Sequence, residues 1–243
     1  MRITKRSKGL ERTLATALAL TLAAGLYAEP ENIGPPAGRT PTIWIGPQVL
    51  TPTEVGIGKP IPDLTLQDID GGQSPLYSGE RHKGTVIVVR DPTCPVSIRY
   101  GPRIASMAQY YRQAGFGFTF IYPSENLSTQ QRHVDRDTLA VPGLYVGKGS
   151  FALAEKLGVK STGEVFILDT EHRLRYRGAI DDQYGLGYTK DTPTRNYLRN
   201  ALDAMVRNEA IATPATSAPG CYIDADPAKD QLFQPLPAGQ MLS

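Results

Sequence analysis

The chain has 243 residues, 40% hydrophobic and 21% charged, a composition that supports one well-buried domain with tails. Its formal charge of +2, with no Lys/Arg block outside the extreme N-terminus, is too small to argue for nucleic acid or an anionic surface as a partner, and no nucleic acid is expected.

Residues 1–28 run from a basic start (MRITKRSK) into an apolar stretch over 14–28, too short for the roughly 20 residues of a spanning helix. This reads as a signal peptide. Leu26 is bulkier than a cleavage site favours, so an uncleaved N-terminal anchor is the alternative. Either way the folded part is expected outside the cytoplasm, periplasmic or extracellular, where two cysteines can form a disulfide. Residues 29–55 are rich in Pro, Gly, Thr and Asn around Trp44 and form a linker or a strap without catalytic content.

The folded domain is placed at 56–210. Leu64 and Leu66 alternate with polar neighbours, and Asp70, Gly71 and Gly72 supply turn chemistry, so an edge hairpin is expected there. Residues 85–89 (TVIVV) form a buried strand, and a helical pattern follows with Ile104, Ala108 and Tyr111 on one face. Cys94 falls at the turn between them. The free N–H groups and positive dipole end of a helix start favour the thiolate, which is the reactive form.

Residues 117–122 (GFTFIY) read as a second buried strand, and 128–137 as a polar helix. Ser150 is expected to cap a third helix that buries Phe151, Ala154 and Leu157. Residues 164–168 and 174–178 form a hairpin closed at 169–172. Thr192, with Pro193 after it, is expected to cap a closing helix of about 15 residues bearing Leu198, Ala201, Leu202, Met205 and Val206. The tail, 211–243, carries Cys221.

The order β, α, β, α, hairpin, helix is that of an α/β thioredoxin-like fold, a central mixed sheet flanked by helices. The stretches GKPIPDLTLQDIDG, VIVVRDPTCP and AEKLGVKSTGEVFILD resemble the redoxin branch of the alkyl hydroperoxide reductase/thiol-specific antioxidant family. RYRGAIDDQYG and GCYI are similar to redoxin domains found beside c-type cytochrome and copper-monooxygenase modules. The resemblance implies a thiol oxidoreductase with Cys94 as redox cysteine. It implies as partner a thiol or disulfide protein or a small hydroperoxide, and by family context a cytochrome or copper enzyme. No cofactor is called for.

The chain also departs from family patterns. Ser97 stands where a thioredoxin-type pair has its second cysteine; Ile87 and Asp91 stand where the peroxidase pattern has Pro and Ser or Thr. Gly163 replaces the peroxidase arginine, and Thr162, Gly163 and Glu164 offer no cis-proline.

Antiparallel pairing places Thr162, Arg177, Asp181, Asp182 and Tyr184 at the Cys94 end of the sheet, and Glu171 and His172 at the other. Arg177 or Arg99 can lower the Cys94 pKa by proximity, and Asp181 or Asp182 can relay protons or orient an arginine. Alternatively, Arg175 and Arg177 are a solvated strand face and the aspartates bond loop N–H groups. From the closing helix, about 13 tail residues can span roughly 43 Å, enough for Cys221 to return to Cys94. A disulfide there would be worth about 4 to 5 kcal/mol if unstrained, as a passive staple or as a cycling pair with Cys221 resolving. Two other functions stay open. One is a copper-delivery module, although Ile98 occupies the last position of C-x-x-x-C and His82 and His133 have no ligand spacing; the other is a non-catalytic scaffold.

Overall fold

The computed structural model describes residues 44–77, 83–226 and 228; the stretch 1–28 expected to be a signal or anchor, most of the expected linker, His82 and the end of the tail lie outside them. The elements are β1 (Thr65–Asp68), β2 (Gln73–Pro75), β3 (Gly84–Val89), α1 (Pro95–Gln113), β4 (Phe116–Ile121), α2 (Thr129–Leu139), β5 (Leu144–Lys148) and α3 (Ser150–Leu157). They continue with β6 (Glu164–Leu168), β7 (Leu174–Ala179), the short pair β8 (Tyr184–Gly185) and β9 (Tyr188–Thr189), and α4 (Tyr197–Val206).

Seven strands form one mixed sheet in the order β2-β1-β5-β4-β3-β6-β7, with β3 parallel to β4 and antiparallel to β6. Every residue of β3 is buried, as its unbroken apolar run requires of a strand covered on both faces. Strand parity divides the core. Val86, Val88, Val165 and Ile167 pack toward α1 and α4, with Ile104, Ala108, Leu198 and Leu202. Ile87, Val89, Phe166 and Leu168 pack toward α3, with Leu153, Ala154 and Leu157.

The edge hairpin, the two buried strands and the 164–179 hairpin lie where the sequence puts them, and α2 begins with a full capping box between Ser128 and Gln131. Three expectations are corrected. Ser150 is the first residue of α3 rather than its cap: Gly149 takes that place at φ 97°, and the Ser150 hydroxyl bridges the Tyr122 N–H and the Val146 carbonyl. The closing helix starts after Asn196, not Thr192, and has 10 residues. Residues 192–195 instead wrap Asp182, whose carboxylate accepts from the Thr194 and Arg195 N–H groups at 2.7 and 2.9 Å. β5 is the third difference: its apolar residues, Leu144, Tyr145 and Val146, are too few for a periodic signal in the sequence.

The tail after α4 belongs to the domain. The Arg177 N–H donates to the Pro214 carbonyl and the Thr216 N–H to the Arg177 carbonyl, both at 3.0 Å, which covers the β7 edge. Residues 45–50 lie over the same region, with the Leu50 N–H donating to the Ala215 carbonyl.

A buried ion pair anchors the turn between β3 and α1. Arg90 binds Asp135 of α2 at 2.5 and 3.1 Å, Tyr122 donates to the same carboxylate at 2.9 Å, and the Arg90 guanidinium also donates to the Ser97 carbonyl. Arg90 is 3% exposed, so removing its partner strands a charge in the core. Asp135→Ala is expected to cost about 3–5 kcal/mol in denaturant unfolding, well beyond the effect of an exposed carboxylate.

Candidate active site

Cys94 is the N-cap of α1, with Pro95 at the first helical position, where its missing N–H costs nothing. Asp91 shapes the approach: its carboxylate accepts from the Thr93 N–H and hydroxyl, and its carbonyl accepts from the Cys94 N–H. The Asp91 N–H in turn donates to the Ser97 hydroxyl at 3.0 Å. Ser97, where a local dithiol would have its second sulfur, thus serves to hold the turn.

The second sulfur arrives from the tail. Cys221 Sγ lies 2.8 Å from Cys94 Sγ, with neither bonded to the other. Residues 221–223 run antiparallel to the segment preceding β6. The Thr162 N–H donates to the Cys221 carbonyl and the Ile223 N–H to the Lys160 carbonyl, each at 3.0 Å, and Ser161 bridges Tyr222. The Thr162 hydroxyl stands between the cysteines: it accepts from the Cys221 N–H and donates to Cys94 Sγ, both at 3.0 Å.

The pairing demands space at Gly163, where any Cβ would strike the Pro219 carbonyl, and at Gly178 (φ 141°), where it would strike Thr216. Gly163 is therefore dictated by the tail.

The two sulfurs differ in exposure and acidity. Cys94 is 1% exposed and Cys221 is exposed. Burial alone would raise the Cys94 pKa. The Cys221 thiol, the Thr162 hydroxyl and the Ser97 and Cys221 N–H groups outweigh it and bring the pKa below its ordinary value. The hydrogen bond to Cys94, reinforced by burial and by the charges of Cys94 and Asp91, pushes Cys221 up to about 11. Of the two sulfurs Cys94 is the one that ionises first, and the Cys221 thiol donates to it.

Four expected contributors are not part of this constellation. Arg177 follows Tyr176, which faces α1, so strand alternation turns it to the α3 side. There it stacks over Phe166, pairs with Glu164 at 2.8 Å and caps α3 by donating to the Leu157 and Gly158 carbonyls. Asp181 does face α1, but it binds Tyr100 and Arg103, with Tyr100 ~9 Å along the helix from Cys94 at 1.5 Å per residue. Arg99 lies over the Tyr184 ring. Hydrogen bonds, not a cation, lower the Cys94 pKa. Asp182 organises the 190–195 loop, and burial notwithstanding, Lys190, Thr194 and the backbone N–H groups hold its carboxyl below the usual range. His172 stacks on Tyr77, at the turn between β6 and β7 as expected. Among the described residues no group of three or more His, Cys, Asp or Glu side chains could hold a metal ion.

The sequence profile of the Redoxin family matches residues 57–192. No curated protein matches the chain. Among solved structures, an uncharacterized conserved protein from Geobacillus kaustophilus is 22% identical, with TM-score 0.61, over 71% of this chain and 94% of that one. A hypothetical protein from Sinorhizobium meliloti is also 22% identical, with TM-score 0.62, over 73% and 96%. A candidate thiol:disulfide interchange protein, DsbE, from Chlorobium tepidum is 13% identical, with TM-score 0.50, over 63% and 99%. These likenesses establish the thioredoxin-like fold.

Thr162→Val removes the hydroxyl that donates to Cys94 Sγ, and with it part of the preference for the thiolate. The Cys94 titration, followed by thiolate ultraviolet absorbance, is expected to move to higher pH, while Thr162→Ser keeps it in place.

Proposed function

Because this chain belongs to the Redoxin family, we propose that it is a thiol–disulfide oxidoreductase whose redox couple is the Cys94/Cys221 pair. The observation that carries the proposal is the 2.8 Å approach of the two sulfurs, one buried at a helix start and the other brought 127 positions along the chain to meet it. A partner disulfide accepts two electrons from the pair: the Cys94–Cys221 bond forms, the partner's bond breaks, and its two sulfurs leave as thiols carrying the two protons. The reverse direction oxidises a partner dithiol.

Hydroperoxide reduction by Cys94 needs peroxide at a sulfur 1% exposed, whereas exchange with thiols and disulfides has a second, exposed sulfur in Cys221. The basic-then-apolar N-terminus supports an exported setting, periplasmic or extracellular, in which such a couple can stay oxidised.

Equilibration in glutathione redox buffers tests the couple. Both thiols are expected to disappear together as one internal disulfide, with a mass loss of two hydrogens per chain; two persistently free thiols would remove the basis for exchange. Cys94→Ser and Cys221→Ser are each expected to lower turnover of a disulfide substrate by roughly 100-fold or more. The double variant should be no worse than either, because the two sulfurs act as a unit.

A further inference from the structure

The position of Cys94 at the helix start makes it the expected point of contact with substrate, with Cys221 resolving. The geometry around the pair reverses this order. Displacement at a disulfide sulfur proceeds in line: the attacking thiolate approaches along the S–S axis from the side opposite the departing sulfur. For attack on Cys94 that side lies within the protein, since Cys94 is 1% exposed. For attack on Cys221 it lies outward, because Cys221 is exposed and Cys94 is behind it.

Room for a substrate lies beside the pair: a cleft of about 390 Å³ is lined by Leu186, Ala218 and Pro219 among others, and includes Gly220, next to Cys221, and Val96, two residues after Cys94.

Resting on the Cys94/Cys221 couple, we propose that Cys221 is the sulfur that bonds to the substrate, and that Cys94 is the internal sulfur that opens and closes the disulfide without ever joining a partner. In the oxidised chain a substrate thiolate bonds to Cys221 Sγ, the bond to Cys94 breaks, and Cys94 departs with the electron pair as a thiolate. A second thiolate of the substrate then attacks the substrate sulfur of this mixed disulfide and releases Cys221, which takes up a proton. The substrate dithiol has become a disulfide and the chain's disulfide a dithiol. Run backwards, Cys221 attacks a substrate disulfide and Cys94 then attacks Cys221.

The surroundings favour the step in which Cys94 departs. Thr162 and the backbone N–H groups that lower the Cys94 pKa make it the better leaving group, and lower-pKa thiols leave faster. Two hydrogen bonds to Thr162 hold the Cys221 backbone in reach of Cys94 throughout.

The test uses the oxidised full chain and glutathione. After brief exposure to reduced glutathione and an acid quench, peptide mapping is expected to find the glutathione adduct on Cys221, at least tenfold over Cys94. An adduct predominantly on Cys94, or evenly divided, overturns the assignment while leaving the couple intact. A chain that keeps both thiols free under oxidant before any glutathione is added overturns the couple and the assignment together. As a second measurement, reduced Cys94→Ser is expected to be glutathionylated by glutathione disulfide at least tenfold faster than reduced Cys221→Ser; equal rates, or the reverse order, overturn the assignment.

Discussion

The site depends on one short antiparallel contact, the pairing of residues 221–223 with the segment before β6. That contact brings Cys221 Sγ to 2.8 Å from Cys94 Sγ and sets the Thr162 hydroxyl where it serves both cysteines. It joins residues 59 positions apart, and it is fed by the tail's earlier pairing along β7 and with residues 48–50. Because each contact fixes the next, the tail adds to the sheet edge before it reaches the active end.

Burial and reactivity act against one another at Cys94. A sulfur 1% exposed would ordinarily be an inert thiol with a raised pKa. Here the donors are arranged in advance: the helix-start N–H at Ser97, the Thr162 hydroxyl and the tail's own Cys221 replace the water that burial removes. Many redox thiols rely on a neighbouring cation. In this chain the nearby arginines have other work, Arg90 locking the turn to α2, Arg177 capping α3 and Arg103 holding Asp181.

The departures from related site patterns have a common structural cause. Ser97 supplies a hydroxyl to the Asp91 N–H because the second sulfur comes from elsewhere. Gly163 carries no side chain because the Pro219 carbonyl fills that space, and Thr162 uses both its N–H and its hydroxyl on the tail. A proline at 162 would lack the N–H that binds the Cys221 carbonyl.

Local chemistry by itself determined the strands around β3, the 164–179 hairpin, the helix start at Cys94 and the capacity of the tail to return. Apolar runs, turn residues and chain length act through neighbours in sequence or through simple reach. It did not determine β5, too short to carry a period, or the cap of α4, where Asp182 takes up the residues that resemble a helix start. Only the tertiary structure decided the roles of Arg177, Asp181 and Thr162. A strand's alternation sends Arg177 to the face opposite α1, a helix's rise sets Asp181 beside Tyr100 rather than Cys94, and the hydroxyl of Thr162 acquires its function only when a tail some 59 positions later lies against it.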